Sequence, residues 1–587
     1  MTDRCSRSRV LVRRPVSLVR PLRRLLVLLL TSVLMLAGCS LLPGDEPEAT
    51  DSPDPDRADT ALTSVGWTQV ARDQVRAGGE LRLAVGALPA NFNPQHTSNA
   101  GSEAARILEP TIGSAIRITA DGGWEVDKNY ARAVEVVKQD PLTIRVDLNR
   151  QAVWQGGTAI TAADMVAFWK AQNGSSKKFE VRSTEGYDDI TAVKPGDDKY
   201  SYTVTFDDPT TDWPRYVYPA LPANVSSTPK LFNTAFTDRA ISANGPYRVV
   251  SIDRDSGQVV QEPNPRWWGD APRLTRITWQ SATPEVQLEA MVAGDLDAID
   301  VPTSLQADAL AAALDDEDIT IGRSIGTEWT QLTMNGATGP LKDVRVRRAI
   351  ALALDRRAIA AQLTKPIDRP PMVLGSFILL PGQRGYVDQS SLISTDVAAA
   401  GKLLDDAGWK VVGADGKRAR KGKPLTLDMP VPATTSTSRA RASLIADQLA
   451  AVGIEVTLQT VPDADFFKAR IIPLKFDLAT FSHAGSAFPV VDAKRQFYPI
   501  DSGENFTGVE DDQLSTAWNK GIAALDETER FRVIKVLDKR LFRDVPLVPL
   551  GVAPEVALRS GTLANFGPAQ FIGPDWTTVG FAIPSSG

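Results

Sequence analysis

Cysteine and histidine are nearly absent from this chain: Cys5, Cys39, His96 and His483 are the only four in 587 residues. Two cysteines can close at most one disulfide, so stability has to come from hydrophobic cores, which a chain this long can build. Two histidines and so few thiols argue against a structural zinc site, and no cofactor is expected. No GxxxxGK[ST] loop, GxSxG elbow or HExxH helix occurs, so the common signatures of nucleotide, acyl-transfer and metallopeptidase chemistry are missing. Paired acids are plentiful, yet no spacing singles out a nucleophile and base, and a hydrolase is not indicated. Long apolar runs are missing too. The longest, Leu25–Leu36, has twelve residues, whereas a membrane-crossing helix needs about 20.

That short run is nevertheless informative. Eight arginines and the single acid Asp3 precede it, and Leu36-Ala37-Gly38-Cys39 follows. A basic stretch, a short apolar core and small residues make a signal peptide over 1–38. The segment resembles the lipobox of bacterial lipoproteins. The resemblance implies cleavage before Cys39, a diacylglyceryl group on its sulfur, and a protein held at the outer face of the cytoplasmic membrane. Two acyl chains, at about 0.8 kcal/mol per buried methylene, suffice for a stable anchor. Loss of 1–38 takes eight arginines and one aspartate, moving the formal net charge from −6 to −13. Such an acidic chain has no use for nucleic acid as a partner.

Residues 43–60 hold four prolines and seven acids and almost nothing apolar. Such a composition cannot offset its ordering entropy, and a disordered tether is expected over 39–77. The body should begin at Gly78-Gly79, followed by the strand Leu81–Val85 and a turn at Asn91-Phe92-Asn93-Pro94. Residues 142–148 and 200–206 alternate as half-buried strands. Between them, Trp154-Gln155-Gly156-Gly157-Thr158-Ala159-Ile160-Thr161-Ala162-Ala163-Asp164 opens a helix, with Thr161 and Asp164 spaced as a capping box. Helical spacing runs from Val344 to Leu363 behind Asp343, and a long helix is expected near Asp511–Arg543. The Arg345–Arg348 run reads as a solvated helix face, and Trp267-Trp268 as surface packing.

Taken in order, these motifs resemble the family 5 extracellular solute-binding proteins, the dipeptide- and oligopeptide-binding group of ABC importers. Trp154, Gly157, Thr161, Ala162 and Asp164 match its most recognisable signature. Asn244-Gly245-Pro246-Tyr247, Asn264–Gly269, Val344–Ile350 with Asp355-Arg356, Ala399–Trp409, Asn505–Gly508 and Asp544–Leu550 match others. The resemblance implies an α/β fold of two periplasmic-binding-protein-like lobes (type II, with an extra subdomain) hinged at the crossings. Lobe I would span 78–330 with a subdomain within about 102–240, lobe II 331–548, and 549–587 would return to lobe I. A monomer is expected, taking a peptide or other oligomeric solute between its lobes and presenting it to a membrane permease. The ligand contacts implied are Phe92, Asn93, Trp329, Phe481, Ser482, His483 and Gly485.

The chain departs from the family in the ligand loop. Peptide binders there usually carry a tryptophan and an aspartate that pairs with the ligand's α-amino group, whereas residues 482–489 read Ser-His-Ala-Gly-Ser-Ala-Phe-Pro, with no acid before Asp492. That departure also resembles a second branch of the fold, an actinobacterial envelope lipoprotein implicated in assembling phosphatidylinositol mannosides and lipoarabinomannan, which would act by interaction and not by import.

Overall fold

A computed structural model describes residues 61–99 and 103–583. Cys39, the signal peptide and the acidic stretch 43–60 lie outside the described residues.

Lobe I is organised by β1 (Glu80–Val85), whose Leu81, Leu83 and Val85 point into one core while Ala84 points into another. This two-sided burial is what a strand covered on both faces requires. The inserted subdomain contributes β2 (Ala131–Gln139), β3 (Leu142–Leu148), helix α1 (Ala162–Gln172), β4 (Ile190–Pro195) and β5 (Ser201–Phe206), the strands pairing in the order β2-β3-β5-β4. At the start of α1, the Asp164 carboxylate accepts from Thr161 N (2.8 Å), Ala223 N (2.7 Å) and Trp154 Nε1 (3.3 Å). With Trp154 only 2 % exposed, the signature stretch is a structural knot. Trp267 and Trp268 pack around Tyr130.

The chain returns through β6 (Tyr247–Asp253), β7 (Gln258–Pro263), β8 (Arg276–Ser281), β9 (Ala298–Asp300) and α2 (Gln306–Asp315), then leaves along β10 (Ile319–Met334). Lobe II holds α3 (Val344–Ala353), α4 (Arg356–Thr364), β11 (Thr426–Pro432), α5 (Ser436–Ala450), β12 (Glu455–Val461), β13 (Leu478–Ala484), α6 (Pro489–Phe497) and α7 (Glu527–Asp544). The return is β14 (Leu547–Ser560), antiparallel to β10. The main sheet runs β13-β10-β14-β9-β1-β8-β7-β6, so β10 and β14 belong to both lobes. Their register slips between Ile325 and Trp329 and again between Thr330 and Gln331. A Cβ on Gly326 would sit 2.3 Å from Ala553 O, so glycine lets the two backbones close up at the slip.

Three expectations need correcting. Residues 61–77 are not free tether: Ile325 N donates to Thr63 O, Gly66 N to Pro568 O and Arg76 N to Phe581 O, each at 2.8 Å, and Val75 is buried. Leu62, Val65, Trp67 and Val75 supply the apolar contacts that 43–60 lacks. Second, the helices expected over 344–363 and 511–543 are each two. Asp355 accepts from Ala358 N (3.0 Å) and Asp526 from Glu529 N (2.8 Å), each capping a fresh helix inside an unbroken apolar pattern. Third, the basic run is not wholly solvated. Arg347 is 5 % exposed and donates to the carbonyls of Leu341, Asp544 and Val545, closing the C-terminus of α7.

One buried carboxyl fixes α7 to the rest of lobe II. Asp538 is 2 % exposed and accepts from Ser376 Oγ (2.6 Å) and Phe377 N (2.7 Å), and burial pushes its pKa up to about 7. A folded pKa above the unfolded value of about 4 gives stability that is full below pH ~4 and lost as pH rises through ~7. Urea unfolding at about pH 5 and pH 8 should therefore show a larger drop for the wild type than for Asp538→Asn, which cannot ionise.

Candidate functional site

The two lobes enclose a cavity of about 270 Å³ on the subdomain side of the sheet. Lobe I supplies Gly122, Gly123, Trp124 and Trp213, the two indoles meeting edge to face at 5.1 Å. Lobe II supplies Gln383, Arg384, Phe488, Arg530 and Phe531. Glu527 lines the same wall 3.3 Å from Arg384 and 3.6 Å from Arg530, so aromatic faces stand beside a mixed-charge cluster, a wall able to hold an apolar side chain next to a polar or charged group.

The loop after β13 is shaped for this position. Gly485 N donates to Thr327 O (2.8 Å), and a Cβ there would meet Leu380 Cδ1 at 2.7 Å. Gln383 Nε2 donates to Ser486 O (3.0 Å), and Phe488 N to Ser486 Oγ (2.9 Å), which turns the chain into α6. Asp492, the first acid after the loop, is already engaged: Ser486 Oγ donates to it, and Arg215 of lobe I lies 3.1 Å away. The same guanidinium sits 5.4 Å above the Phe488 ring.

Two further ion pairs cross between lobes, Arg495 with Glu185 (2.9 Å) and Arg384 with Asp121 (2.8 Å). Thr119 and then Arg384 hydrogen-bond to Asp121 and hold its carboxyl below the usual range, whereas burial raises Glu185. All six side chains are about a third to a half exposed, so each pair contributes about 0.2–1 kcal/mol. Together they hold the lobes in contact without locking them.

The residues expected from sequence divide sharply. Phe92 and Asn93 are fully buried in the lobe I core, Phe92 beneath Arg254 and Asn93 donating to Phe232 O (3.0 Å). They hold the turn after β1 and do not reach the crevice. Trp329, Phe481, Ser482, His483 and Gly485 are brought together by the pairing of β10 with β13, where Trp329 faces His483 and Thr330 faces Ser482. Trp329 stacks on His483 at 5.8 Å, Phe481 adds its ring at 5.6 Å, and burial lowers the His483 pKa to about 4, leaving it neutral at physiological pH. None of the seven lies on the cavity wall. The residues that do come from five separated segments. The turn Gly122-Gly123-Trp124 was the one local signal available.

The profile of the bacterial extracellular solute-binding proteins, family 5 (middle region), matches residues 125–507. The oligopeptide-binding protein OppA of Mycobacterium tuberculosis (strain H37Rv) is 32 % identical over 559 residues, covering 94 % of this chain and 92 % of that protein. This chain belongs to the family 5 extracellular solute-binding proteins. A second M. tuberculosis relative, the probable monoacyl phosphatidylinositol tetramannoside-binding protein LpqW, is 25 % identical over 480 residues, covering 75 % of this chain and 71 % of that protein. Among solved structures, the periplasmic EDTA-binding protein EppA superposes with a TM-score of 0.77 at 25 % identity, covering 89 % of this chain and 99 % of that one.

The three ion pairs between lobes make a direct prediction. The triple variant Asp121→Ala, Glu185→Ala, Asp492→Ala should increase the radius of gyration in small-angle X-ray scattering while the circular dichroism spectrum stays unchanged. High salt should move the wild type the same way.

Proposed function

We propose that this family 5 chain is the lipid-anchored receptor of an ABC importer, capturing a peptide between its lobes and handing it to a membrane permease. The observation that carries the reading is the cavity walled by both lobes, in a fold whose lobes are joined by the two crossing strands β10 and β14. A solute there touches both walls only when the lobes are shut, so binding shifts the population toward the closed form that a permease can read. β13 runs into the loop whose Ala487 and Phe488 line the cavity, so the main sheet carries the ligand loop to the solute. The similarity to OppA of M. tuberculosis supports an oligopeptide as the solute.

One observation favours a second reading. The first acid after the ligand loop, Asp492, pairs with Arg215, and the cavity-wall acid Glu527 lies beside Arg384 and Arg530, so a peptide ammonium would have to displace a guanidinium at either. An envelope-assembly lipoprotein of the same fold has no such requirement, and LpqW is a relative. Thermal-shift screening separates the two. At a hundred times Kd a bound peptide adds about 2.7 kcal/mol and raises Tm, and Trp213→Ala should abolish the rise. If no peptide shifts Tm at millimolar concentration while a phosphatidylinositol mannoside does, the importer reading fails and the second stands.

The anchor is tested independently. Cys39→Ala should move the protein from the membrane pellet to the soluble fraction, and its retention in the pellet would refute lipidation. Among the described residues no helix is long and apolar enough to cross a membrane, so the variant has no spanning helix there to fall back on.

A further inference from the structure

A second recess lies on the opposite face of the main sheet. That face carries Ala84, Ile299 and Leu558 and is covered by α2, whereas the subdomain flanking the interlobe cavity shares its core with Leu81, Leu83 and Val85. The recess has a volume of about 620 Å³, within the range of small-molecule sites. Its lobe I wall is the outer flank of α2, with Leu310, Ala311 and Leu314, the last 77 % exposed. Its lobe II wall is Leu363 at the end of α4, then Pro366, and Ala440 on α5.

Against this apolar lining stands one buried cation. Arg441 on α5 is 6 % exposed and lines the recess. Its Nε donates to Thr480 Oγ1 (2.7 Å) and one terminal nitrogen reaches Ser438 Oγ at 3.5 Å. Burial lowers its pKa to about 10, and among the described residues no carboxylate lies within ion-pairing distance of it. A guanidinium has five donors, so most of its capacity is unspent. Both of its hydrogen-bond partners are uncharged hydroxyls, and an incoming anion would supply the counter-charge they do not. No acid lines the recess, and Lys365 adds a second cation to its wall.

We propose that this recess binds a single-chain amphiphile with an anionic head, of the fatty-acid class. The alkyl chain lies along α2 between Leu310, Leu314, Leu363 and Pro366, and the head pairs with Arg441. Each further methylene buried strengthens binding, so chain length sets the affinity and Arg441 sets the requirement for charge. The occupant touches α2 of lobe I and α4 and α5 of lobe II, independently of any solute in the interlobe cavity.

The test is titration of delipidated protein with palmitate, read by displacement of a fluorescent fatty acid, with hexadecanol as the uncharged control. Palmitate should bind saturably. Ala311→Trp, at an exposed position on the wall, should weaken both ligands at least about tenfold, or 1.4 kcal/mol. Arg441→Gln should weaken palmitate by a similar factor and leave hexadecanol unchanged, and an unaltered circular dichroism spectrum checks its fold. Lysophosphatidylglycerol binding more tightly than palmitate would support the site and identify a phospholipid head as the source of the anion. Absence of saturable palmitate binding, or binding indifferent to Ala311→Trp, would overturn the proposal. So would a protein dimer that Ala311→Trp dissolves without any effect of palmitate, because the groove would then be covered by a second copy.

Discussion

The antiparallel pairing of β10 with β14 is the constraint on which the molecule depends. These two strands carry the main sheet from one lobe into the other, and their register slips where they cross. A sheet of perfect register would resist bending, because every ladder hydrogen bond would stretch together. The slip beside Gly326 and Ala553 removes that resistance over a few residues and leaves the pairing on either side intact. β10 also pairs with β13, and β13 runs into the loop whose Ala487 and Phe488 line the interlobe cavity. The hinge strands are therefore one strand removed from the binding wall.

Around that crossing the fold is held by buried polar groups that anchor helices. Arg347 closes the carbonyl end of α7, Asp538 ties its middle to residues 376–377, and Asp164 joins α1 to Trp154 and residue 223. Such groups stabilise little on net, yet leaving any of them unpaired costs about 1–3 kcal/mol. They fix which elements meet while the hydrophobic cores supply the bulk of the stability.

Much of this was legible in the sequence where the signal is local. The stretch 154–164, the strands at 142–148 and 201–206, and the order of family motifs give the α/β fold and its inserted subdomain, because turns, caps and alternation are written in neighbouring residues. The breaks at Asp355 and Asp526 are not legible, since an apolar stripe keeps its phase across a capped interruption and conceals it. Arg347 reads as solvated because its carbonyl partners at Asp544 and Val545 lie 197 and 198 residues away along the chain. The cavity was the least legible feature. Trp124, Trp213, Arg384, Phe488 and Phe531 come from distant segments, so no window contains the site. Phe92 and Asn93 showed the converse: a well-marked turn can be wholly occupied with holding its own lobe together.

Thr63 accepts from the backbone of Ile325, at the edge of β10 beside the register slip. The leading segment of the body is thus clasped to the crossing strand at its start and to the return segment of lobe I, through Pro568 and Phe581, further on. A strand that bends about a slipped register is displaced least at the slip itself, so the clasp on Ile325 can persist while residues 66–76 travel with lobe I. One short segment thereby spans a moving part and a still one without having to yield.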